Sequence, residues 1–282
     1  MAVLADQRFA DTVLIVAKRS QREAYRVTQR SRRLLLSGPE GATCVPAIRH
    51  QAVTETNSIN FLGNDIILEK YTDDDEFLSS LISKLPKETK ALEVGAYVGY
   101  FSQLILERFQ HALIIEGEET NYQNLLLKFP EYTDKIKKHI VYNDTKEHNW
   151  YYSKGSGHNA VVMPLPAAKH KRFTRSKVET VTLDSIGFDF DFMKTDCEGA
   201  DFNIILGATR LITKNRPLMY IEHSGEIGAR THNYTKDIFF GFFKKYNYSL
   251  FFANGSQFLP KMWYSDTMAN INSYNLLAVP QR

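Results

Sequence analysis

The sequence predicts an α/β fold in which a doubly wound, mostly parallel sheet of seven strands is covered by helices on both faces. Short apolar segments alternate with segments of helical periodicity from residue 91 to residue 221, and this rhythm is typical of parallel strands joined by crossover helices. Gly95 and Gly99 follow the first of these strands, where such folds turn sharply into a helix. The last two apolar segments can pair antiparallel, which completes the sheet.

Each element follows from a local pattern. Gly63 between two apolar stretches predicts a hairpin over residues 59–71. The acidic run that begins at Asp73 predicts a helix cap, and Pro86 predicts the end of that helix. Later strands are expected over residues 91–94, 112–115, 139–142, 190–194, 217–221, 249–253 and 275–279, and helices over residues 100–109, 119–129, 200–212 and 234–246.

The composition excludes several classes of protein. The chain has 282 residues, 35 Lys and Arg against 32 Asp and Glu, and 43% hydrophobic residues, which excludes a disordered tail, a collagenous repeat and a disulfide-stapled miniprotein. The two cysteines, Cys44 and Cys197, lie far apart in sequence and favour a reducing compartment. No apolar run reaches the ~18 residues that span a bilayer, and the start lacks a secretory pattern. We expect a cytoplasmic protein.

The domain organisation is predicted as a basic extension over residues 1–55 followed by an α/β domain over residues 56–282. Arg19, Arg22, Arg26 and Arg30 would line one face of a helix. Such a face could bind nucleic acid or an anionic lipid surface, or it could be a solvated face packed on the main domain. A strand, a glycine-rich turn and a second strand over residues 150–163, followed by a basic loop to residue 177, predict a hairpin and loop inserted at the carboxyl edge of the sheet.

The turn from Glu93 to Gly99 is the most informative segment. Its glycines allow a close approach to a ligand at the amino end of a helix, which favours a nucleotide-type ligand held by Glu93, Gly95, Tyr97 and Gly99. Glu93 would repel a pyrophosphate but suits a cationic ligand, such as the ammonium and sulfonium groups of S-adenosylmethionine. A structural turn without a ligand is the alternative.

Three further residues follow the next two strands. Glu116 comes twenty-one residues after Gly95, the position from which a carboxylate can accept from both hydroxyls of a ribose. Asn143 and Asp144 close the predicted third strand, where a side chain could accept from an adenine amino group or cap a helix instead.

The later strand ends carry the candidate catalytic and substrate-binding residues. Asp196 and Glu198 follow one strand and Glu222 and His223 end the next, so these four are expected at one crevice. His223 would take a proton from an acceptor hydroxyl, with Asp196 facing the same acceptor. Glu198 and Glu222 are candidate substrate contacts, as is His158 in the glycine-rich turn. A divalent metal on Asp196 with Glu222 or His223 is possible, but the ligand set does not establish it.

The ordered set of these motifs resembles the FkbM-type family of S-adenosylmethionine-dependent methyltransferases. The motifs that carry the resemblance are Glu93-Val-Gly-Ala-Tyr-Val-Gly99, Ile115-Glu116, Val181-Thr-Leu-Asp184, Met193-Lys-Thr-Asp-Cys-Glu-Gly-Ala-Asp201, Gly207-Ala208 and Arg216-Pro217-Leu-Met-Tyr-Ile-Glu222. The resemblance implies a Rossmann-like methyltransferase fold, S-adenosylmethionine as the methyl donor, and methyl transfer to oxygen, often a hydroxyl of a sugar or natural product.

The function predicted from all these features is therefore methylation of a hydroxyl on a sugar, a natural product or a nucleotide-linked acceptor. Two alternatives stay open. One is a catalytically silent protein of the same fold that binds nucleotides or RNA through its basic extension. The other is a nicotinamide-dependent oxidoreductase, which the missing third glycine of a dinucleotide fingerprint disfavours.

Overall fold

A computed structural model describes residues 57–71, 73–152, 154–155, 157, 159, 161, 174–263 and 274–281. The arginine-rich extension, His158 and the basic stretch at residues 169–172 lie outside these residues. The described residues begin with a two-stranded hairpin, in which β1 (Asn57–Phe61) pairs antiparallel with β2 (Asn64–Leu68). The connecting Leu62 and Gly63 both have positive φ, as a two-residue hairpin turn requires. The predicted hairpin is confirmed.

The first helix, α1 (Asp74–Lys84), begins and ends where its sequence indicates. The carboxylate of Asp73 accepts hydrogen bonds from the N–H groups of Asp75 and Glu76 at 2.9 and 3.0 Å, which satisfies two N–H groups that the helix itself leaves unpaired. Three acidic residues in its first turn also complement the helix dipole. Phe77, Leu81 and their neighbours turn to the core, so the predicted amphipathic helix is confirmed.

The central sheet has seven strands, as predicted. In sequence they are β3 (Ala91–Val94), β4 (Ala112–Glu116), β5 (Ile136–Lys138), β8 (Phe192–Thr195), β9 (Leu218–His223), β10 (Tyr248–Phe251) and β11 (Tyr274–Pro280). Their spatial order is β10, β11, β9, β8, β3, β4, β5. The pairs within β9, β8, β3, β4 and β5 are parallel, whereas β11 is antiparallel to both of its neighbours. This is the doubly wound Rossmann-like arrangement with one antiparallel strand.

Helices cover both faces of the sheet. They are α2 (Tyr100–Arg108), α3 (Glu119–Lys128), the short α4 (Leu183–Ile186), α5 (Asp201–Leu206), α6 (Thr209–Asn215), α7 (Gly225–Thr231) and α8 (Lys236–Lys245). One core packs α1, α2 and α3 on one face, and a second packs α5, α6 and α8 on the other. The central strands β3 and β4 are buried on both faces, and each is apolar apart from one glutamate. In the described part of the chain, no helix has both the length and the apolar character needed to cross a bilayer.

Two element boundaries differ from the prediction. The third parallel strand is β5, three residues earlier than expected, and residues 139–141 leave the sheet. The helix expected over residues 200–212 is divided into α5 and α6. The break lies at Gly207, where a Cβ would overlap the carbonyl oxygen of Tyr142. The carboxylate of Asp184 then accepts from the N–H groups of Arg210 and Leu211 at 2.9 and 3.0 Å and so begins the second helix.

The insertion contains a second antiparallel pair, β6 (Glu147–Tyr152) with β7 (Thr174–Glu179). The hairpin predicted over residues 150–163 is therefore wrong in its second strand, because every residue of β6 pairs with β7, which follows the basic stretch at residues 169–172. Val181, just after β7, forms a parallel bridge with Val141, which attaches the pair to the segment that follows β5.

Candidate functional site

A cavity opens at the carboxyl edge of the sheet, where the ends of β3, β4 and β8 meet. It is a small depression of about 70 Å³ that is partly open to solvent. Among the described residues it is lined by Val94, Gly95, Tyr97, Ile115, Glu116, Gly117, Asn121, His139, Ile140, Val141, Trp150, Gly157, Asn159, Val161, Asp196, Cys197 and Ala200. Gly95, Tyr97, Glu116 and Asp196 are the predicted site residues that line it.

The glycine turn packs tightly against the neighbouring strand. Gly95 has φ +84°, and a Cβ at this position would overlap the carbonyl oxygen of Asp196. Gly99 has φ +74° and no room for a Cβ beside Leu125 and Phe129 of the α3 region. Gly99 does not line the cavity. Its lack of a side chain allows α2 to start against α3. Only residues without a side chain fit at these two places.

Glu116 joins the glycine turn to the start of α3. Its Oε2 accepts from the N–H of Tyr97 and its Oε1 accepts from the N–H of Glu118, both at 2.8 Å. The side chain is almost fully buried, and this burial raises the pKa of Glu116 although the N–H groups of Glu118, Tyr97 and Gly117 oppose the shift. A carboxylate has about four acceptor sites, so Glu116 keeps acceptor capacity at the cavity wall.

Glu93 is placed differently from the prediction. It is 1% exposed and does not line the cavity. Its carboxylate accepts from the hydroxyl of Ser102 at 2.6 Å and pairs with the ammonium group of Lys194 at 3.3 Å. Burial raises the pKa of Glu93, with Lys194 and Ser102 working against that shift. The structure therefore gives no support to direct contact of Glu93 with a cationic ligand, because its charge is matched inside the protein.

The loop after β8 is held by a buried acid. The carboxylate of Asp201 accepts from the N–H groups of Cys197 and Gly199 at 3.1 and 3.3 Å. Burial, and after it the charge of Asp196, raises the pKa of Asp201 to about 7. Burial, together with the charges of Asp201 and Asp196, raises the pKa of the Cys197 thiol well above its ordinary value. The thiol is therefore a neutral part of the cavity wall. Glu198 adopts φ +54° in this loop and does not line the cavity.

Asn143 and Asp144 do not line the cavity either. Asn143 is exposed, and Asp144 accepts from the ring of His148 at 2.6 Å and pairs with Lys146 at 3.5 Å. Burial disfavours its charge, but His148 and Lys146 outweigh this and lower the pKa of Asp144. Because the chain leaves the sheet earlier than the sequence indicated, residues 139–141 occupy the position expected for Asn143 and Asp144.

His223 lies in an aromatic cluster and not at the cavity. Its ring is 2% exposed and stacks on Phe239 with 4.6 Å between ring centroids, and Trp263 and Tyr274 lie at 4.6 and 5.0 Å. Burial lowers the pKa of His223 to about 3. Glu222, on the opposite side of the same strand, does not line the cavity. The structure therefore does not support His223 as the base that meets an acceptor.

The sequence does not predict the apolar side of the cavity. Ile140 and Val141 lie beside Trp150 from β6 and Val161 from the insertion. Gly157 packs on the ring of Tyr97, where a Cβ would lie 3.4 Å from its nearest atom. Trp150 gave the only usable signal, as one of just two tryptophans and the one inside the insertion.

The remaining predicted contacts concern a histidine and a metal. His158 falls outside the described residues. Within the part of the chain that the structure describes, no three His, Cys, Asp or Glu side chains are grouped so that they could hold a metal ion.

The profile of the methyltransferase FkbM domain matches residues 93–250, more than half of the chain. No curated protein matches the sequence.

Two solved structures are among those to which this chain is similar. A methyltransferase FkbM from Methylobacillus flagellatus KT is 17% identical over 68% of this chain, with a TM-score of 0.41, and this chain spans 44% of its length. An O-methyltransferase from Bacillus cereus in complex with SAH is 12% identical over 75% of this chain and 83% of its own, with a TM-score of 0.36.

The matched residues 93–250 run from Glu93 before the glycine turn to β10, and they include the strand ends that surround the cavity. The chain belongs to the family of methyltransferases that share the FkbM domain.

Proposed function

We propose that the chain transfers a methyl group from S-adenosylmethionine to a hydroxyl oxygen of a small-molecule or glycan acceptor. The observation that carries the proposal is the cavity at the ends of β3, β4 and β8, with a glycine turn on one side and the carboxylate of Glu116 on another. Membership of the family implies the donor.

The chemistry of the cavity fits this donor. Glu116 has acceptor capacity left for a ribose hydroxyl, since the N–H groups of Tyr97, Glu118 and Gly117 take three of its about four acceptor sites. Ile140, Val141 and Trp150 offer a flat apolar surface for a purine. Asp196, whose side chain is 48% exposed, offers a carboxylate to a cationic group. Gly95, Tyr97 and Glu116 would hold the donor, and Gly99 shapes the turn.

When bound, S-adenosylmethionine supplies an electrophilic methyl carbon on a sulfonium whose sulfur keeps the bonding electron pair. The protein then has to bring an acceptor oxygen in line with that carbon, and positioning of this kind provides most of the acceleration in such displacements. Asp196 is our candidate for the group that meets the positive end of the donor and takes up the proton of the acceptor hydroxyl as the new oxygen–carbon bond forms. The insertion around β6 and β7 would select the acceptor.

Calorimetric titration of the full chain with S-adenosylmethionine tests the proposal. We expect saturable binding of one donor per chain, competed by S-adenosylhomocysteine and not by NADH. A folded chain that gives no binding heat at high protein concentration would contradict donor binding. An acceptor screen that follows release of S-adenosylhomocysteine from hydroxylated sugars, lipids and nucleic acids then tests the transfer to oxygen, and methylation of nitrogen only would contradict that part.

A further inference from the structure

Lys194 is a charged residue in the middle of the sheet. It lies on β8, between β3 and β9, and is 4% exposed. An isolated ammonium group at such a position would be strongly destabilising, because it loses its hydration. A buried lysine therefore needs partners, and the identity of these partners indicates what the lysine does.

The ammonium group of Lys194 has three partners. It lies 3.3 Å from Oε1 of Glu93 and 3.5 Å from Oδ2 of Asp196, and 5.3 Å from the ring centroid of Phe101. Burial opposes the charge, but the carboxylates of Asp196 and Glu93 outweigh it and raise the pKa of Lys194. The lysine thus connects a carboxylate that is 1% exposed to one that is 48% exposed at the cavity.

We propose that Lys194 is a positioning residue: anchored on Glu93, it holds the carboxylate of Asp196 at the cavity wall, where Asp196 meets the ammonium group of the methyl donor. This inference rests on the proposed function. It also accounts for the acid before the glycine turn, since Glu93 acts on the ligand through Lys194 and Asp196 without touching it.

Backbone contacts alone do not fix this side chain. Asp196 follows the last residue of β8, and its N–H donates to the carbonyl of Val94 at 3.1 Å. This bond fixes the main chain at the end of the strand but leaves the side chain free to rotate towards solvent. The contact with Lys194 restricts this rotation. The side chain therefore loses its conformational entropy before the ligand binds.

The alternative is that Lys194 only neutralises Glu93. The two roles separate in the double variant Glu93→Gln with Lys194→Met. Wild-type Glu93, Lys194 and Asp196 carry a net charge of −1, and the double variant also carries −1, on Asp196 alone. Replacing a buried ion pair by neutral residues of similar volume is often tolerated. The double variant therefore removes the contact to Asp196 without changing the net charge of the group.

The experiment compares two ligands by calorimetry on the full chain. S-adenosylhomocysteine has the amino-acid end with its ammonium group, whereas 5′-methylthioadenosine lacks it. We expect the double variant to bind S-adenosylhomocysteine about tenfold more weakly and to bind 5′-methylthioadenosine as the wild type does. Asp196→Asn should show the same selective loss, and adding it to the double variant should cause no further loss.

A second variant keeps the test independent of changes in the core. Asp196→Glu retains the charge at an exposed position and moves the carboxylate by one methylene, and it should also weaken only S-adenosylhomocysteine. The inference is overturned if the double variant or Asp196→Glu binds this ligand with wild-type affinity, or if both ligands weaken equally. Failure of the wild-type chain to bind either ligand overturns the proposed function itself.

Discussion

Glu116 uses both of its carboxylate oxygens to hold backbone N–H groups at the cavity. Gln at this position has one acceptor oxygen and directs an N–H₂ group at the second N–H. We predict that Glu116→Gln raises the Kd for S-adenosylmethionine by about tenfold to a hundredfold, the range for a lost hydrogen bond to a charged group. Calorimetry measures this change. The matched control is Glu119→Gln on the surface of α3, where the carboxylate pairs with Lys138, and its Kd should not change.

His223 predicts a specific dependence of stability on pH. Its pKa is about 3 in the folded chain and 6.5 in its ordinary state. Between these values the unfolded chain binds a proton that the folded chain excludes, so stability falls as pH falls. At pH 5 the loss is roughly 2 kcal/mol. We predict that His223→Phe removes this pH-dependent loss of stability.

The measurement is chemical unfolding of the wild type and His223→Phe at pH 7.5 and pH 5. The difference in unfolding free energy between the two proteins should move by roughly 2 kcal/mol in favour of the variant at the lower pH. Other titrating groups, Asp201 among them, are common to both proteins and cancel in this difference. If the unfolding free energies of the two proteins changed equally with pH, the ring of His223 would be protonated to the same extent in the folded and the unfolded chain.

At the residue level the sequence predicts some site residues well and others poorly. The positions of Gly95 and Glu116 follow from strand ends and spacing, and both line the cavity. The roles predicted for Glu93 and His223 depend on what surrounds each side chain. Lys194 lies a hundred residues after Glu93, and Trp263 lies forty residues after His223, so neither neighbour can be recognised from local sequence.

At the scale of elements, the turn between β3 and α2 limits what position 95 can hold. Gly95→Ala introduces a positive φ for alanine, which costs roughly 1–2 kcal/mol, and a Cβ that overlaps the backbone of Asp196. We predict that this variant is destabilised by more than the strain alone and binds the donor weakly.

Gly187→Ala is the matched control for Gly95→Ala. Gly187 has φ +73° at the end of α4, with no heavy atom within 4 Å of the added Cβ among the described residues. It should show only the loss of roughly 1–2 kcal/mol in unfolding free energy that comes from the strain. Equal losses for the two variants in chemical unfolding would mean that the end of β8 moves aside without cost.

Helix and strand types follow from periodicity, but two features of the elements do not. The apolar run at residues 139–142 satisfies the pattern of a strand, yet the sheet takes residues 136–138 and leaves the run to the cavity wall. The division between α5 and α6 depends on Asp184, whose carboxylate caps α6 from a different part of the chain. One of the motifs shared with the family, Val181–Asp184, thus has a structural function.

At the scale of the whole molecule, Arg216 joins three segments that are distant in sequence. Its guanidinium donates to the carbonyls of Tyr246, Asn247 and Gln281 and stacks on the ring of Tyr248 at 5.0 Å. Arg216 precedes β9, Tyr246 and Asn247 precede β10, and Gln281 follows β11. A single ammonium cannot reproduce this planar set of donors.

We predict that Arg216→Lys lowers the unfolding free energy by roughly 2 kcal/mol, since two of three hydrogen bonds to the backbone are lost. The control is Arg230→Lys, because Arg230 pairs with Glu226 on the exposed face of α7, where such pairs contribute little. Chemical unfolding monitored by circular dichroism compares them. A loss for Arg216→Lys as small as that for the control would show that these carbonyls are equally well hydrated by water.

The overall architecture was predictable because strands and helices alternate along the chain from β3 to β9, so an error of three residues at one strand does not change the topology. The helices α4 and α7 and the pairing of β6 with β7 were not predicted. The two-faced burial of the sheet is visible in the sequence of β3 and β4, where apolar residues are interrupted by a single glutamate each. The shape of the cavity was not predictable, because it depends on where the insertion attaches, and this is decided by contacts such as the bridge between Val141 and Val181.

The two tryptophans are intrinsic fluorescence probes at two different places in the molecule. Trp150 lines the cavity, so its emission should change when a purine stacks against it. Trp263 packs on His223 and donates its indole N–H to Glu226 at 2.8 Å, so its emission follows the integrity of the aromatic cluster. With each tryptophan in turn replaced by phenylalanine, ligand occupancy and local unfolding can be recorded as separate signals from unlabelled protein.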